Sequence, residues 1–182
     1  MICTDSMRRQ IVPVCTAMLL LLLSAAAGVA QSRSLEGSYT YLRAASDDIN
    51  QAIERGIAGM NFVTRPVARG RLRKTNEPFG AITISRTPAE VAIATDGGAP
   101  VITPADGSAV RWRREDGEVF QVSTALRDGV LRQTFVADDG QRENAFSLSA
   151  DGDTLTMRVT VTSPRLPRPV SYRLVYLRAA VR

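Results

Sequence analysis

One segment, residues 154–162, reads TLTMRVTVT and alternates strictly between apolar and polar side chains. The apolar set is Leu155, Met157, Val159 and Val161. Threonines and Arg158 occupy the positions between them. Because successive side chains of a strand point to opposite faces, one face of this segment is buried and the other faces water. The segment predicts a half-buried strand of an antiparallel sheet.

Asp-Gly pairs punctuate the chain before this segment, with turn signals recurring at intervals of roughly ten residues. The pairs begin at Asp96, Asp106, Asp116, Asp128, Asp139 and Asp151. Both residue types tolerate the positive φ angles that tight hairpin turns require. Strand-like runs such as residues 81–85 and 130–136 lie between the pairs, without helix-length gaps. This pattern predicts a meander of antiparallel strands and excludes parallel βαβ units.

Ahead of the meander, residues 37–42 form one strand-like run and residues 46–60 form one helical segment. Ser46 or Asp47 can cap the first turn of that helix, and its apolar residues share one face. We predict a mainly β domain, a single antiparallel meander barrel of about 8–10 strands, with this helix between the first and second strands. A β-sandwich is the alternative.

The densest basic stretch of the chain is residues 64–75. Pro66 and Gly70 argue against a regular helix there, so we expect a solvated connection. The alternative interpretation is a docking patch for an anionic surface or an acidic ligand.

The N-terminal region has the three-part layout of a secretory signal. Arg8 and Arg9 provide a basic start, residues 17–23 are apolar, and small residues end at Gly28-Val29-Ala30. The apolar run is too short to span a bilayer, which takes about 20 residues. We predict a signal peptide at residues 1–30 and a single domain at 31–182, exported to the periplasm or the extracellular space.

The composition of the 182-residue chain excludes several kinds of functional site. It has no histidine, and its two cysteines, Cys3 and Cys15, fall within the predicted signal. The remaining domain therefore lacks disulfides, the usual Cys/His zinc sites and Ser-His or Cys-His nucleophile pairs. We expect no catalytic activity, no cofactor and no metal. The surplus of 23 Lys+Arg over 18 Asp+Glu is mild, and we expect neither nucleic-acid binding nor stable membrane insertion.

The order of elements resembles the calycins, that is, lipocalins and intracellular fatty-acid-binding proteins. Gly37-Ser38-Tyr39 stands where those proteins often carry Gly-x-Trp, and residues 173–176 are similar to the terminal strand of fatty-acid-binding proteins. Arg173 and Tyr176 are three positions apart, so the Arg-x-Tyr spacing that grips a fatty carboxylate in that family is not kept. The chain also looks similar to exported bacterial lipocalin-like proteins. The resemblance implies a barrel.

A barrel of this size is either filled by side chains or holds one small ligand. We favour the binding of a small hydrophobic or amphipathic ligand in the interior. An inward-pointing Arg158 or Arg132 would meet an anionic head group there, although we expect both arginines on the solvent-facing side of their strands. The alternative is a structural or protein-interaction domain with a filled core, which would use its surface or the Arg-rich segment 65–74. The candidate ligand-binding residues are Ile53, Ile57, Trp112, Phe120, Phe135, Phe146, Met157, Arg158 and Tyr176.

Overall fold

The computed structural model of the protein describes residues 34–180, and the predicted signal peptide lies outside this range. The described part contains ten strands, two α-helices and one 3-10 turn. The helices are α1, Ile49–Ile57, and α2, Arg65–Thr75, both between the first and second strands. The strands are β1 Gly37–Tyr41, β2 Ala81–Arg86, β3 Glu90–Thr95, β4 Val101–Pro104, β5 Val110–Arg113, β6 Val119–Arg127, β7 Val130–Ala137, β8 Gly140–Leu148, β9 Thr154–Thr162 and β10 Val170–Arg178.

All ten strands belong to one antiparallel sheet in the order β4-β3-β2-β1-β10-β9-β8-β7-β6-β5. β1 pairs with both β2 and β10, so the first and last strands of the chain are neighbours. The sheet curls until β4 comes into contact with β5 and β6, although β4 and β5 share no ladder. The result is a nearly closed barrel with one unpaired seam, which confirms the predicted meander barrel. The alternative of a β-sandwich is not observed.

The segment with strict alternation forms β9, and its apolar side chains line the barrel interior. Leu155, Met157 and Val159 are at most 1% exposed, and the ladder sets them opposite the buried face of β10. Burying a side chain of this kind contributes about 1.5–3 kcal/mol. β9 and β10 together form the most completely buried wall of the barrel.

The hairpin between β6 and β7 shows why Asp-Gly pairs mark the turns. Asp128 and Gly129 both have positive φ, 51° and 75°. Two consecutive positive φ angles are the requirement of the tight turn whose twist matches that of the flanking strands. Not every pair closes a hairpin, since Asp106-Gly107 lies in the connection that crosses the seam from β4 to β5.

Helix α1 is shorter than the predicted helix over residues 46–60, running from Ile49 to Ile57. Its N-cap is Asp48, whose carboxylate accepts hydrogen bonds from two free amides of the first turn. The prediction of Ser46 or Asp47 as the cap is therefore wrong.

Ser46 and Asp47 hold the chain against the outer edge of β10 instead. The Ser46 hydroxyl donates to the Leu42 carbonyl and accepts from the Val175 amide, both at 2.9 Å. Asp47 accepts from the Arg173 amide at 2.8 Å. These tertiary bonds outweigh the local choice of cap and set the start of α1.

The expectation of an irregular connection over residues 64–75 is wrong, because this segment forms α2. Pro66 falls in the first turn, where an amide hydrogen has no partner within the helix. Gly70 faces open space, and Leu72 is 8% exposed and packs into the core. Glu54 on α1 accepts two hydrogen bonds from Arg69, at 2.6 and 2.8 Å. The packing of Leu72 and the two hydrogen bonds between Arg69 and Glu54 stabilise this helix, although Pro66 and Gly70 disfavour it.

Candidate functional site

Five of the residues predicted to line a ligand site lie in the solid part of the barrel interior. They are Ile53, Ile57, Phe146, Met157 and Tyr176, each at most 1% exposed. The two isoleucines come from α1, and the other three come from β8, β9 and β10. These five residues therefore belong to the packed hydrophobic core.

Three other predicted residues, Trp112, Phe120 and Phe135, form a cluster that we call the aromatic wall. Their ring centroids are 5.8–6.0 Å apart. Trp112 lies opposite Phe120 in the ladder, and Phe135 lies opposite the fully buried Val122, so the wall is on the inward face of β5, β6 and β7. All three side chains are nevertheless only half-buried. Each of the three rings therefore keeps part of its surface accessible to solvent.

Arg158 lies on the outer face of β9 and is exposed. The ladder sets it beside Arg173, and its neighbours along the strand, Met157 and Val159, are the buried ones. This placement contradicts the inclusion of Arg158 among the candidate ligand-binding residues and agrees with the solvent-facing side that the sequence favoured for it. The same alternation that buries one face of β9 places position 158 on its solvent-exposed face.

Arg142 is the inward-facing arginine that the sequence analysis did not identify. It lies on β8 directly opposite Phe135, two positions from buried Asn144. Its Nε donates to Asn144 Oδ1 at 2.9 Å, and its Nη1 donates to the Thr75 carbonyl and to Asn76 Oδ1 at 3.1 and 3.2 Å. Its guanidinium also interacts with the Tyr172 hydroxyl, and within residues 34–180 it forms no ion pair. A half-buried cation without a carboxylate partner in the described residues therefore borders the aromatic wall.

Asn76, which follows α2, joins that helix to two strands. It is 2% exposed; its Oδ1 accepts from Tyr172 at 2.9 Å as well as from Arg142, and its Nδ2 donates to the Leu72 carbonyl at 2.8 Å. Burial raises the pKa of the Tyr172 hydroxyl, partly offset by Arg142, so this donor stays protonated at neutral pH. These hydrogen bonds fix the position of the Arg142 guanidinium relative to α2.

Three buried polar residues cross the interior on neighbouring strands, and we call them the polar row. Thr124 on β6 lies opposite Gln133 on β7, which lies opposite Asn144 on β8. They are 1%, 3% and 4% exposed. Thr124 Oγ1 and Gln133 Nε2 have no hydrogen-bond partner in the described part of the chain. The same is true of the Tyr176 hydroxyl, whose pKa is raised by burial.

A cleft of about 340 Å³ opens at the end of the barrel opposite the helices. Val91 and Leu126 contribute its apolar surface, and Glu36 and Arg86 contribute charged groups. Leu126 is two positions along β6 from Thr124, on the same face. The cleft thus approaches the polar row from this end.

The arginines of segment 65–74 mostly serve contacts within the protein. Arg65 Nη2 donates to the Ala58 and Met60 carbonyls, both at 2.7 Å, and so satisfies the C-terminal end of α1. Arg71 lies 3.5 Å from an Asp139 carboxylate oxygen in the β7–β8 turn. Beside them, the apolar side chain of Phe62 is 86% exposed.

No helix between residues 34 and 180 is long and apolar enough to cross a membrane. In the same range, no three His, Cys, Asp or Glu side chains are grouped so that they could hold a metal ion. The absence of catalytic activity stays a prediction from the composition.

Known proteins resemble this chain in structure alone. No protein-family model matches it, and no curated protein matches it either. A solved structure titled "REP1-NXSQ fatty acid transporter" matches 81% of this chain and 98% of its own, with a TM-score of 0.52 and 12% identity. Fatty-acid-binding protein 1 of Echinococcus granulosus matches 80% of this chain and 98% of its own, with a TM-score of 0.51 and 14% identity.

A third match is the Schistosoma mansoni fatty-acid-binding protein in complex with arachidonic acid. It covers 84% of this chain and 100% of its own, with a TM-score of 0.51 and 16% identity. At these identities the likeness establishes the fold, which is the calycin barrel that the order of elements implied.

Proposed function

Given that the chain has the fold of fatty-acid-binding proteins, we propose that it is an exported, soluble, non-catalytic protein that binds a small hydrophobic or amphipathic ligand inside its barrel. The observation that carries this proposal is the aromatic wall, whose three rings face inward and yet are only half-buried. A barrel that served only as a packed scaffold would bury them, because unfilled apolar space costs stability.

Arg142 supports an amphipathic ligand with an anionic end. Its guanidinium lies at the rim of the aromatic wall, opposite Phe135, with no carboxylate partner among residues 34–180. A half-buried cation without a counter-ion favours an anion, and a guanidinium binds a carboxylate through charge-assisted hydrogen bonds. The ligand would lay its apolar body on the three rings and its acidic group on Arg142.

Fluorescence titration tests this proposal with two probes, 11-(dansylamino)undecanoic acid and its methyl ester. We expect saturable binding of both, with the acid bound more tightly. Arg142→Gln should abolish the preference for the acid, a loss of about 10-fold or more, since a hydrogen bond to a charged group contributes about 1.5–3 kcal/mol. Native mass spectrometry should show one probe molecule per chain.

A pair of adjacent residues provides the control for the wall. Phe135→Ala removes an inward ring and should weaken both probes, whereas Val136→Ala alters the next side chain, which is 43% exposed on the outer face, and should leave both unchanged. Failure of either probe to bind the unmodified chain would contradict the proposal, as would equal effects of the two variants.

The second candidate function is the binding of a protein partner through the exposed surface around the start of α2. Phe62 and Val63, just before α2, are 86% and 64% exposed, and Val67 in its first turn is 73% exposed. Most arginines of segment 65–74 are occupied by contacts within the protein. Phe62→Ser should abolish co-purification of a protein partner if this surface is used, and should leave probe binding unchanged.

A further inference from the structure

We infer that the polar row is a second polar subsite, and that the ligand carries an uncharged oxygen, a hydroxyl or a carbonyl, partway along its apolar body. This inference rests on the proposed function, and it specifies the class of ligand. It begins from two atoms, Thr124 Oγ1 and Gln133 Nε2, which are buried in the interior without a hydrogen-bond partner among residues 34–180.

The two unpartnered groups lie together. Thr124 and Gln133 are directly opposite in the β6–β7 ladder, and side chains at such positions start about 4.5–5.5 Å apart. A single ligand oxygen can therefore reach both of them. Apolar residues at these positions would pack without leaving any polar group unsatisfied, and an unsatisfied buried donor destabilises the fold.

The chemistry of the pair selects the ligand group. An amide nitrogen only donates, whereas a threonine hydroxyl both donates and accepts. A hydroxyl oxygen that accepts from Gln133 and donates to Thr124 satisfies both, and a carbonyl that accepts from both does so as well. The pair itself is uncharged. Arg132 adjoins Gln133 but lies on the outer face, so the inward-facing cation closest along the sheet is Arg142, beyond Asn144, and an ionised group is better placed there.

The spacing places the oxygen in the middle of the ligand. Arg142 and Asn144 are two positions apart on β8, about 7 Å, and each step between strands adds about 4.8 Å. Backbone positions in the row are therefore about 8 Å from Arg142 at Gln133 and about 12 Å at Thr124. An acid bound at Arg142 would bring an oxygen several carbons along its chain to the polar row.

Calorimetric titration tests the subsite with dodecanoate, 8-hydroxydodecanoate and 3-hydroxydodecanoate. We expect the 8-hydroxy acid to bind about 10-fold more tightly than dodecanoate, with no such gain for the 3-hydroxy acid. Gln133→Met and Thr124→Val should each reduce this preference several-fold and leave the affinity for dodecanoate within about 2-fold. Arg142→Gln is the matched control, because it should weaken all three acids alike.

Thermal denaturation gives a readout that does not depend on the ligand. Gln133→Met should raise the melting temperature, because it removes an unsatisfied buried donor while keeping a similar volume. Equal affinities of the unmodified chain for dodecanoate and the 8-hydroxy acid would overturn the subsite alone, as would an undiminished preference in Gln133→Met. If none of the three acids binds, the proposed function fails with it.

Discussion

Replacing Asn76 with alanine should destabilise the barrel more than any single hydrogen bond would suggest. The side chain is 2% exposed and bonds to Tyr172, Arg142 and the Leu72 carbonyl. In Asn76→Ala the buried Tyr172 hydroxyl loses the acceptor of its hydrogen bond, at a cost of about 1–3 kcal/mol, and each of the other two bonds contributes about 0.5–1.5 kcal/mol. Arg142 can recover part of its share from water because it is half-buried.

We therefore expect the free energy of unfolding to fall by about 3 kcal/mol, which lowers the melting temperature by about 6–12 °C for a domain of this size. Thermal and urea unfolding of the variant measure both quantities. Asn50→Ala is the matched control, because Asn50 is exposed on α1, and its stability should change by less than about 0.5 kcal/mol.

A double-mutant cycle with Tyr172→Phe tests the reasoning behind this magnitude. Once the hydroxyl is gone, Asn76→Ala no longer leaves it unsatisfied. The free energy of unfolding that the double variant loses should therefore be smaller than the sum of the two single losses, by about 1 kcal/mol or more. Losses that add to within about 0.3 kcal/mol would refute the account of an orphaned hydroxyl.

Two further predictions concern the helices. Gly56→Ala should destabilise the protein by about 1–3 kcal/mol, because the new Cβ overlaps the Val170 side chain, whereas Gly70→Ala meets open space and should stabilise α2 by about 0.5–1 kcal/mol; urea unfolding distinguishes them. The hydrogen bond from Arg69 lowers the pKa of Glu54 in the folded protein. The contribution of this bond to stability is therefore complete above the pKa that Glu54 has in the unfolded chain, and it is lost as the pH falls through the pKa of the folded state. The stability difference between the unmodified chain and Glu54→Gln should accordingly shrink in acid.

The sequence predicts the barrel well because local rules agree with the tertiary fold along most of the meander. The alternation in residues 154–162 survives as the burial pattern of β9, and Asp128-Gly129 closes a hairpin with the backbone angles expected of it. The helix over residues 65–75 is missed because Pro66 and Gly70 count against it locally. Its packing through Leu72 is visible only in three dimensions.

The candidate site is harder to predict because it departs from the pattern that identifies strands. β8 reads GQRENAFSL, and its inward face carries Arg142 and Asn144 before Phe146, so alternation gives no apolar signal over its first half. Counting back by twos from Phe146 would have assigned both polar residues to the interior. For β9 the same parity puts Arg158 on the solvent-facing side, since it follows Met157 directly, and the structure has it there.

Trp112 offers the most direct measurement, since it is the single tryptophan of the chain and belongs to the aromatic wall. Its fluorescence should shift and saturate at one equivalent of dodecanoate, with energy transfer to 11-(dansylamino)undecanoic acid that excess dodecanoate reverses. Tryptophan emission that stays constant through the titration, together with no transfer to the dansyl group, would contradict a ligand held inside this barrel.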